Sequence, residues 1–417
     1  MKIKFRKRHL FLVLAFSSAI IAAMNSGVDS IAGDLMNNYW VLSISCFILG
    51  FIVSLLFSCL LSIPIKGKSI GSQTFDPSFN RIRLITKQEI AYHALAGLGN
   101  SIMTIGYFAL FYDPNLGRSP AAILPFAQVV ILYLVVAESI TEKDTPTLVE
   151  IQSALIVTFG AILGSISLSG TISVRALAIV FLIINPGSML FSFYQRKLKM
   201  IKIKDKPNDS INIRLWNVVF ALIFTCIITF CWSLYDGTNY LFGGLTASIN
   251  YFGWLFIMAT GTFFSFVFYI RALGIGKASI AQAVKSTVII FSIPVTIVLS
   301  YYGYVDPFTT DPTLLIIKAI GMILMILGII SFTVTLAKSY VFIKVKPGYS
   351  IEDTMQKLWK IKGVNRVCAV AGPYDFVVKI HTRTFVKGYE RIIRKIAELP
   401  SIKEYKMQSV LKEWENI

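Results

Sequence analysis

Up to about Lys338 the chain is a succession of apolar segments, each close to the roughly 20 residues that a helix needs to cross a hydrocarbon core. Ten such segments can be placed, at 10–31, 39–63, 89–111, 119–138, 148–168, 174–194, 212–234, 249–272, 279–301 and 313–337. Inside a bilayer every backbone amide must be satisfied within the protein, and a single segment can do that only as a helix. The reading is therefore an α-helical polytopic membrane protein with ten transmembrane helices and the lipid bilayer as its medium. Composition agrees, with 55% hydrophobic and 15% charged residues.

A formal charge of +18 would suit nucleic acid in a soluble domain, but here its placement marks orientation. Lys2, Lys4, Arg6, Lys7 and Arg8 crowd into residues 1–9. The 64–88 connection carries Lys66, Lys68, Arg81, Arg83 and Lys87, and the 195–211 connection carries Arg196, Lys197, Lys199, Lys202, Lys204 and Lys206. The alternate connections hold Asp29, Asp34, Asp113, Asp236, Asp306 and Asp311, with Arg118 and Arg175 as basic exceptions. Lysine and arginine are retained on the cytoplasmic side, so both termini are expected there, in a multi-pass protein of the cell membrane. The five cysteines show no zinc or disulfide spacing and read as small packing residues. His9, His93 and His381 are scattered, and no nucleophile motif accompanies them, so no enzyme, metal or cofactor is expected.

Five segments per half would make residues 10–168 and 174–337 a 5+5 inverted repeat, because the sixth helix starts on the side opposite the first. Tyr107-Phe108-Ala109-Leu110 before Ser119-Pro120-Ala121 is echoed by Tyr269-Ile270-Arg271-Ala272-Leu273 before Ala278-Ser279-Ile280. The fifth and tenth segments share small residues, Gly160 and Gly164 against Gly321 and Gly328. Leu124-Pro125-Phe126 is followed by Ala137-Glu138, with the glutamate thirteen residues after the proline. On these features residues 8–337 resemble the EamA-like branch of the drug/metabolite transporter superfamily. The resemblance implies a central cavity lined by the first, third, fourth, sixth, eighth and ninth helices, and secondary transport of a small-molecule substrate. The ninth helix departs from the pattern, with Lys285 in place of proline and no closing glutamate.

Polar residues repeated on one face of a membrane helix turn that face away from lipid. In the third helix His93, Gly97, Asn100, Thr104 and Tyr107 share a face. The ninth offers Ser279, Gln282, Lys285, Ser286, Ser292 and Thr296; the first Ser18 and Asn25; the fourth Gln128; the sixth Asn185-Pro186-Gly187-Ser188. The cavity candidates are Asn25, His93, Asn100, Gln128, Asn185, Gln282 and Lys285. Hydrogen bonds between helices, at about 0.6 kcal/mol each, are the alternative use of such residues. Lys285 has two open roles: snorkelling to the interface, or offering a positive charge to an anionic or zwitterionic substrate. Glu89, Glu138 and Glu150 fall at helix ends, which leaves Asp29, just beyond Asn25, as the coupling candidate.

From residue 339 to 417 the pattern changes to short alternating strands and amphipathic helices. Strands at 341–345, 364–370, 376–380 and 404–411, with helices at 350–360 and 384–399, give the order βαββαβ of an α+β ferredoxin-like domain. Val341-Phe342-Ile343-Lys344-Val345-Lys346-Pro347-Gly348, Gly363-Val364 and Gly372-Pro373-Tyr374-Asp375-Phe376 resemble the effector-binding domain of the Lrp/AsnC regulators. That resemblance implies a homodimer through the tail and an amino-acid effector near Gly372, Tyr374 and Asp375. Read from the residues alone, Gly372 and Asp375 equally suit a tight turn with a local cap. The regulators' DNA-binding half is absent and no ribonucleoprotein motif occurs, so no nucleic-acid partner is expected. The functional expectation is a secondary transporter of a small polar metabolite, such as an amino acid or related compound, with a cytoplasmic sensing or dimerising domain. The alternative is a membrane-anchored metabolite sensor without transport.

Overall fold

The computed structural model describes residues 7–65, 67–112, 124–141, 148–165, 175, 178–203, 206–305, 311–334, 337–361, 363–382 and 387–409. The expected helix ends at 119–123 and 166–168, together with Asp113, Arg118, Lys204 and Asp306, lie outside the described residues. The chain divides into two compact units, residues 1–134 with 156–326 and residues 135–155 with 327–417.

Six helices among the described residues are long and apolar enough to cross a membrane, which makes this a membrane protein. They are α1 (Lys7–Met36), α2 (Tyr39–Leu61), α4 (Lys87–Phe111), α8 (Ser210–Asp236), α10 (Phe252–Leu273) and a pair of helices, α11 (Ala278–Lys285) and α12 (Val288–Tyr301), that run as one span. Shorter apolar stretches accompany them, within α5 (Val130–Thr141) after a tight turn of helix at Leu124–Val129, α6 (Leu148–Ser165) and α13 (Pro312–Val334). The expected sixth segment is a π-helical stretch, Ile179–Ile184, that passes into α7 (Asn185–Met200).

Local chemistry sets these boundaries. Asn38 accepts hydrogen bonds from the amides of Trp40 and Val41, and Thr86 with Glu89 forms a capping box at the start of α4. Asp209 caps α8 through the Asn212 amide, and Gly237, at φ +73°, ends it. Pro186 has no amide hydrogen for the carbonyl of Phe181, five residues back in the π-helical register, and the Tyr133 hydroxyl donates to that oxygen at 2.9 Å.

Several boundaries differ from expectation. Arg196, Lys197 and Lys199, placed in a loop from sequence, are helical, because the α7 pattern of Phe191, Gln195 and Leu198 keeps a buried face through them. The eighth span is preceded by a separate helix, α9 (Tyr240–Asn250), capped by Asn239 and broken from α10 at Tyr251. The 64–88 connection folds into a two-residue hairpin of β1 (Pro64–Ile65) and β2 (Lys68–Ser69), followed by α3 (Ile70–Thr74). A matching hairpin, β3 (Lys202–Ile203) with β4 (Lys206–Pro207), follows α7.

In the first unit α1 lies along α10 and against α12, α4 lies along α7 and α8, and α2 fills between α8, α9 and α10. Glycines permit the closest crossings. A Cβ on Gly99 would sit 2.6 Å from the Gly187 carbonyl oxygen, and one on Gly160 would sit 2.6 Å from that of Gly321.

In the second unit the tail forms one antiparallel sheet in the order β6-β7-β5-β8. Its strands are β5 (Ala337–Val345), β6 (Val364–Ala369), β7 (Phe376–Thr382) and β8 (Ile402–Ser409). Val341, Ile343, Phe376, Val378 and Ile380 point to one face. There they meet Leu358 of α14 (Ile351–Trp359) and Ile392 and Ile396 of α15 (Lys387–Ala397). The order of strands and helices is compatible with a ferredoxin-like fold.

Candidate functional site

A cavity of about 190 Å³ lies within the first unit. Asn25 and Asp29 of α1, Gln128 ahead of α5, Ser188 of α7, and Gln282 and Lys285 of α11 supply most of its polar lining. Thr104 and Tyr107 of α4 and Thr262 of α10 complete one wall. Because α1 runs on to Met36, Asp29 is well inside the helix rather than at its end. Its Oδ1 accepts from Asn25 Nδ2 at 3.2 Å, and the same amide reaches Thr262 Oγ1 at 3.1 Å. Across the cavity Gln282 Nε2 donates to Gln128 Oε1 at 3.0 Å, joining α11 to the turn before α5. Lys285 closes α11 where the helix breaks at Ser286 and Thr287. Its ammonium extends inward over aromatic faces, 4.4 Å from the ring centre of Tyr269 and 4.9 Å from that of Phe266, instead of snorkelling outward.

Three expected cavity residues sit elsewhere. His93 is buried and stacks on Phe220 of α8, with 6.2 Å between ring centres and 9° between planes. Asn100 donates to Asn217 of α8 at 2.9 Å and borders a small side pocket rather than the main cavity. The third helix therefore divides its polar stripe: the lower part packs on α8 and the upper part, Thr104 and Tyr107, meets the cavity. Asn185 donates to the Val180 carbonyl at 2.8 Å, which fastens the π-helical stretch.

Arg214 was not apparent from sequence. It is 2% exposed, four residues into α8, and its guanidinium lies 4.6 Å from the ring centre of Phe266. It lines the side pocket, whose walls include Cys46, Thr104, Thr262 and Phe266, all of which also line the main cavity.

Where α4 and α8 begin, polar side chains bind the connections to the helices. Lys199 Nζ meets Asp76 Oδ2 at 2.5 Å, with both side chains buried, and Ser210 donates to the same oxygen from its amide (2.8 Å) and hydroxyl (2.7 Å). Burial alone would raise the Asp76 carboxyl; the Lys199 ammonium and the two Ser210 donors outweigh it and hold the group below its ordinary 3.8. Beside it Arg83 grips Glu89 with two hydrogen bonds, 2.8 and 2.6 Å, and Asn208 bridges Arg83 and Glu89. The basic connections seen in sequence are thus partly consumed in folding this end of the bundle.

In the tail, Asp375 Oδ2 accepts from the Val345 amide at 2.7 Å, while its own amide donates to Ile343 at 2.9 Å. The carboxylate ties the start of β7 to β5, a bond across 30 positions rather than the local cap expected from the residues alone. Tyr374 packs against Phe342 with ring centres 5.6 Å apart, and Gly372 has open space where a Cβ would be.

A solved structure titled only "Crystal structure of protein" aligns over 78% of this chain and 96% of its own, at 15% identity and a TM-score of 0.47. No curated protein matches the chain. Residues 338–416 match the Lrp/AsnC ligand binding domain, so a ligand-binding module of that type follows a membrane part in the same chain.

Proposed function

We propose that the chain is a secondary transporter of a small polar metabolite, regulated or paired through its tail. The observation that carries this reading is the cavity, in which polar and charged side chains from helices of both halves converge on one apolar-walled space. Its lining includes the first, third, fourth, sixth, eighth and ninth segments, the set implied by the EamA-like resemblance, together with Cys46 of the second. The packing of the first unit also supports a 5+5 inverted repeat. Exchanging the halves turns the contact of α1 with α10 (first and eighth segments) into that of α7 with α4 (sixth and third), and both are extensive. On this reading the ten segments all span the cell membrane, and the basic connections put both termini in the cytoplasm. Asp29 is the candidate coupling group, being, among the described residues, the acidic side chain that lines the cavity.

Uptake of radiolabelled amino acids and small organic acids into proteoliposomes, with imposed proton and sodium gradients, tests the reading. Accumulation that is lost in Asp29→Asn protein of normal yield is expected. A membrane-anchored metabolite sensor is the second reading, favoured by the match of residues 338–416 to a ligand binding domain. It predicts ligand binding by the full chain with no flux for any solute that binds.

A further inference from the structure

Two basic side chains converge on one aromatic ring inside the first unit. Arg214 and Lys285 lie 4.6 and 4.9 Å from the centre of Phe266, so the two charges are no more than about 10 Å apart. Among the described residues neither has a carboxylate within ion-pair distance. Nε and Nη1 of Arg214 are buried with no hydrogen-bond partner at all. A buried guanidinium that leaves donors unused carries a large desolvation penalty, which an anion supplied from outside would offset. The space for that anion exists, because Arg214 lines the side pocket and Lys285 lines the main cavity, and Thr104, Thr262 and Phe266 border both.

Charge balance then selects the solute. Among the described residues the cavity and side pocket together present two basic side chains, Arg214 and Lys285, and one acidic side chain, Asp29. A neutral zwitterion would leave one cation unpaired in a low-dielectric space. A solute with two carboxylates and one ammonium pairs all three. Guanidinium geometry favours a carboxylate taken by two parallel hydrogen bonds, whereas the Lys285 ammonium acts as a point charge.

Resting on the carrier reading above, we propose that Arg214 and Lys285 form an anion subsite around Phe266. The subsite takes the carboxylates of a dicarboxylic amino acid, whose ammonium faces Asp29, in preference to a neutral amino acid.

The experiment uses the purified full chain in detergent, with glutamate, aspartate, alanine and lysine as probes and thermal unfolding as the readout. Glutamate or aspartate should raise the melting temperature at concentrations where alanine and lysine do not. Arg214→Gln and Lys285→Gln should each weaken the acidic probe at least tenfold, and Arg214→Lys should weaken it less than Arg214→Gln. A shift that survives both glutamine variants belongs to the tail and overturns the proposal, as does equal stabilisation by alanine or no response to any probe. Should Arg214→Gln fail to fold, Lys285→Gln and Phe266→Leu decide between these outcomes. Vesicle uptake separates the two hypotheses: acidic probes that bind through Arg214 without flux remove the carrier reading and leave the subsite. Flux of neutral amino acids unchanged by Arg214→Gln does the reverse.

Discussion

Asp76 and Lys199 are 123 positions apart, yet they form a contact screened from water on all sides. Removing one partner of such a pair strands the other charge, at about 3–5 kcal/mol. Lys199→Met should therefore lower the unfolding midpoint of the full chain far more than Lys202→Met at the exposed hairpin, as measured by tryptophan fluorescence in detergent. The pH dependence has a definite sign. Asp76 is held below 3.8 in the folded protein, so its stabilisation is complete above that value and is lost as pH falls through the lowered one. The melting temperature should thus fall on acidification below about pH 4, and Asp76→Asn should remove that part of the acid sensitivity. Neither residue's role was legible in sequence. Asp76 stands among basic residues that read as an orientation signal, and Lys199 looked like one more of them. Arg214 was hidden differently, since one basic residue near the start of an apolar segment reads as its boundary. By contrast Asn25, Asp29, Gln128, Gln282 and Lys285 were legible, because polar groups within apolar segments have few places to go but inward.

At the scale of elements, the sequence showed where apolar stretches lie and which residues share a face, but not which neighbour each face meets. His93 and Asn100 share a stripe with Thr104 and Tyr107, and only the crossing of α4 with α8 decides that the first two pack while the last two reach the cavity. The α4–α7 crossing offers a test of how tightly such contacts are set. Gly99→Ala would place a methyl 2.6 Å from the Gly187 carbonyl oxygen and the Phe191 amide nitrogen, both backbone atoms that cannot step aside alone. Its yield of monodisperse protein on size exclusion should fall sharply. Gly253→Ala in α10, with nothing near its Cβ, should leave yield unchanged or slightly improved. In the tail, strand alternation was legible from Val341 to Val345, whereas the bond from the Val345 amide to Asp375 was not. Asp375→Ala leaves that amide without its acceptor, at about 1–3 kcal/mol. Hydrogen exchange on the full chain should show faster exchange at Val345 and at neighbouring β5 amides, and slower change elsewhere.

For the whole molecule, orientation is the property that loop charge predicts and the helices alone do not. In a cysteine-free background, cysteines at Thr238 and Tyr304, both exposed, should react with an impermeant maleimide outside intact cells, while one at the exposed Lys206 should react only after permeabilisation. Asn208 is a poor probe for the same side, because it is buried between Arg83 and Glu89. The brevity of the junction has a consequence of another kind. α13 ends at Val334 and β5 begins at Ala337, so the chain between them reaches only about 10 Å even when extended. If two tails pair, each brings its bundle with it at close range, and the encounter of two bundles is no longer governed by diffusion in the lipid plane. The oligomer should then resist dilution: the fraction of two-step photobleaching events in vesicles should hold steady as the protein-to-lipid ratio falls. Deleting residues 338–417 should make that fraction decline with dilution, while lengthening the junction with a Gly-Ser segment should preserve pairing yet loosen the spacing read by energy transfer between the bundles.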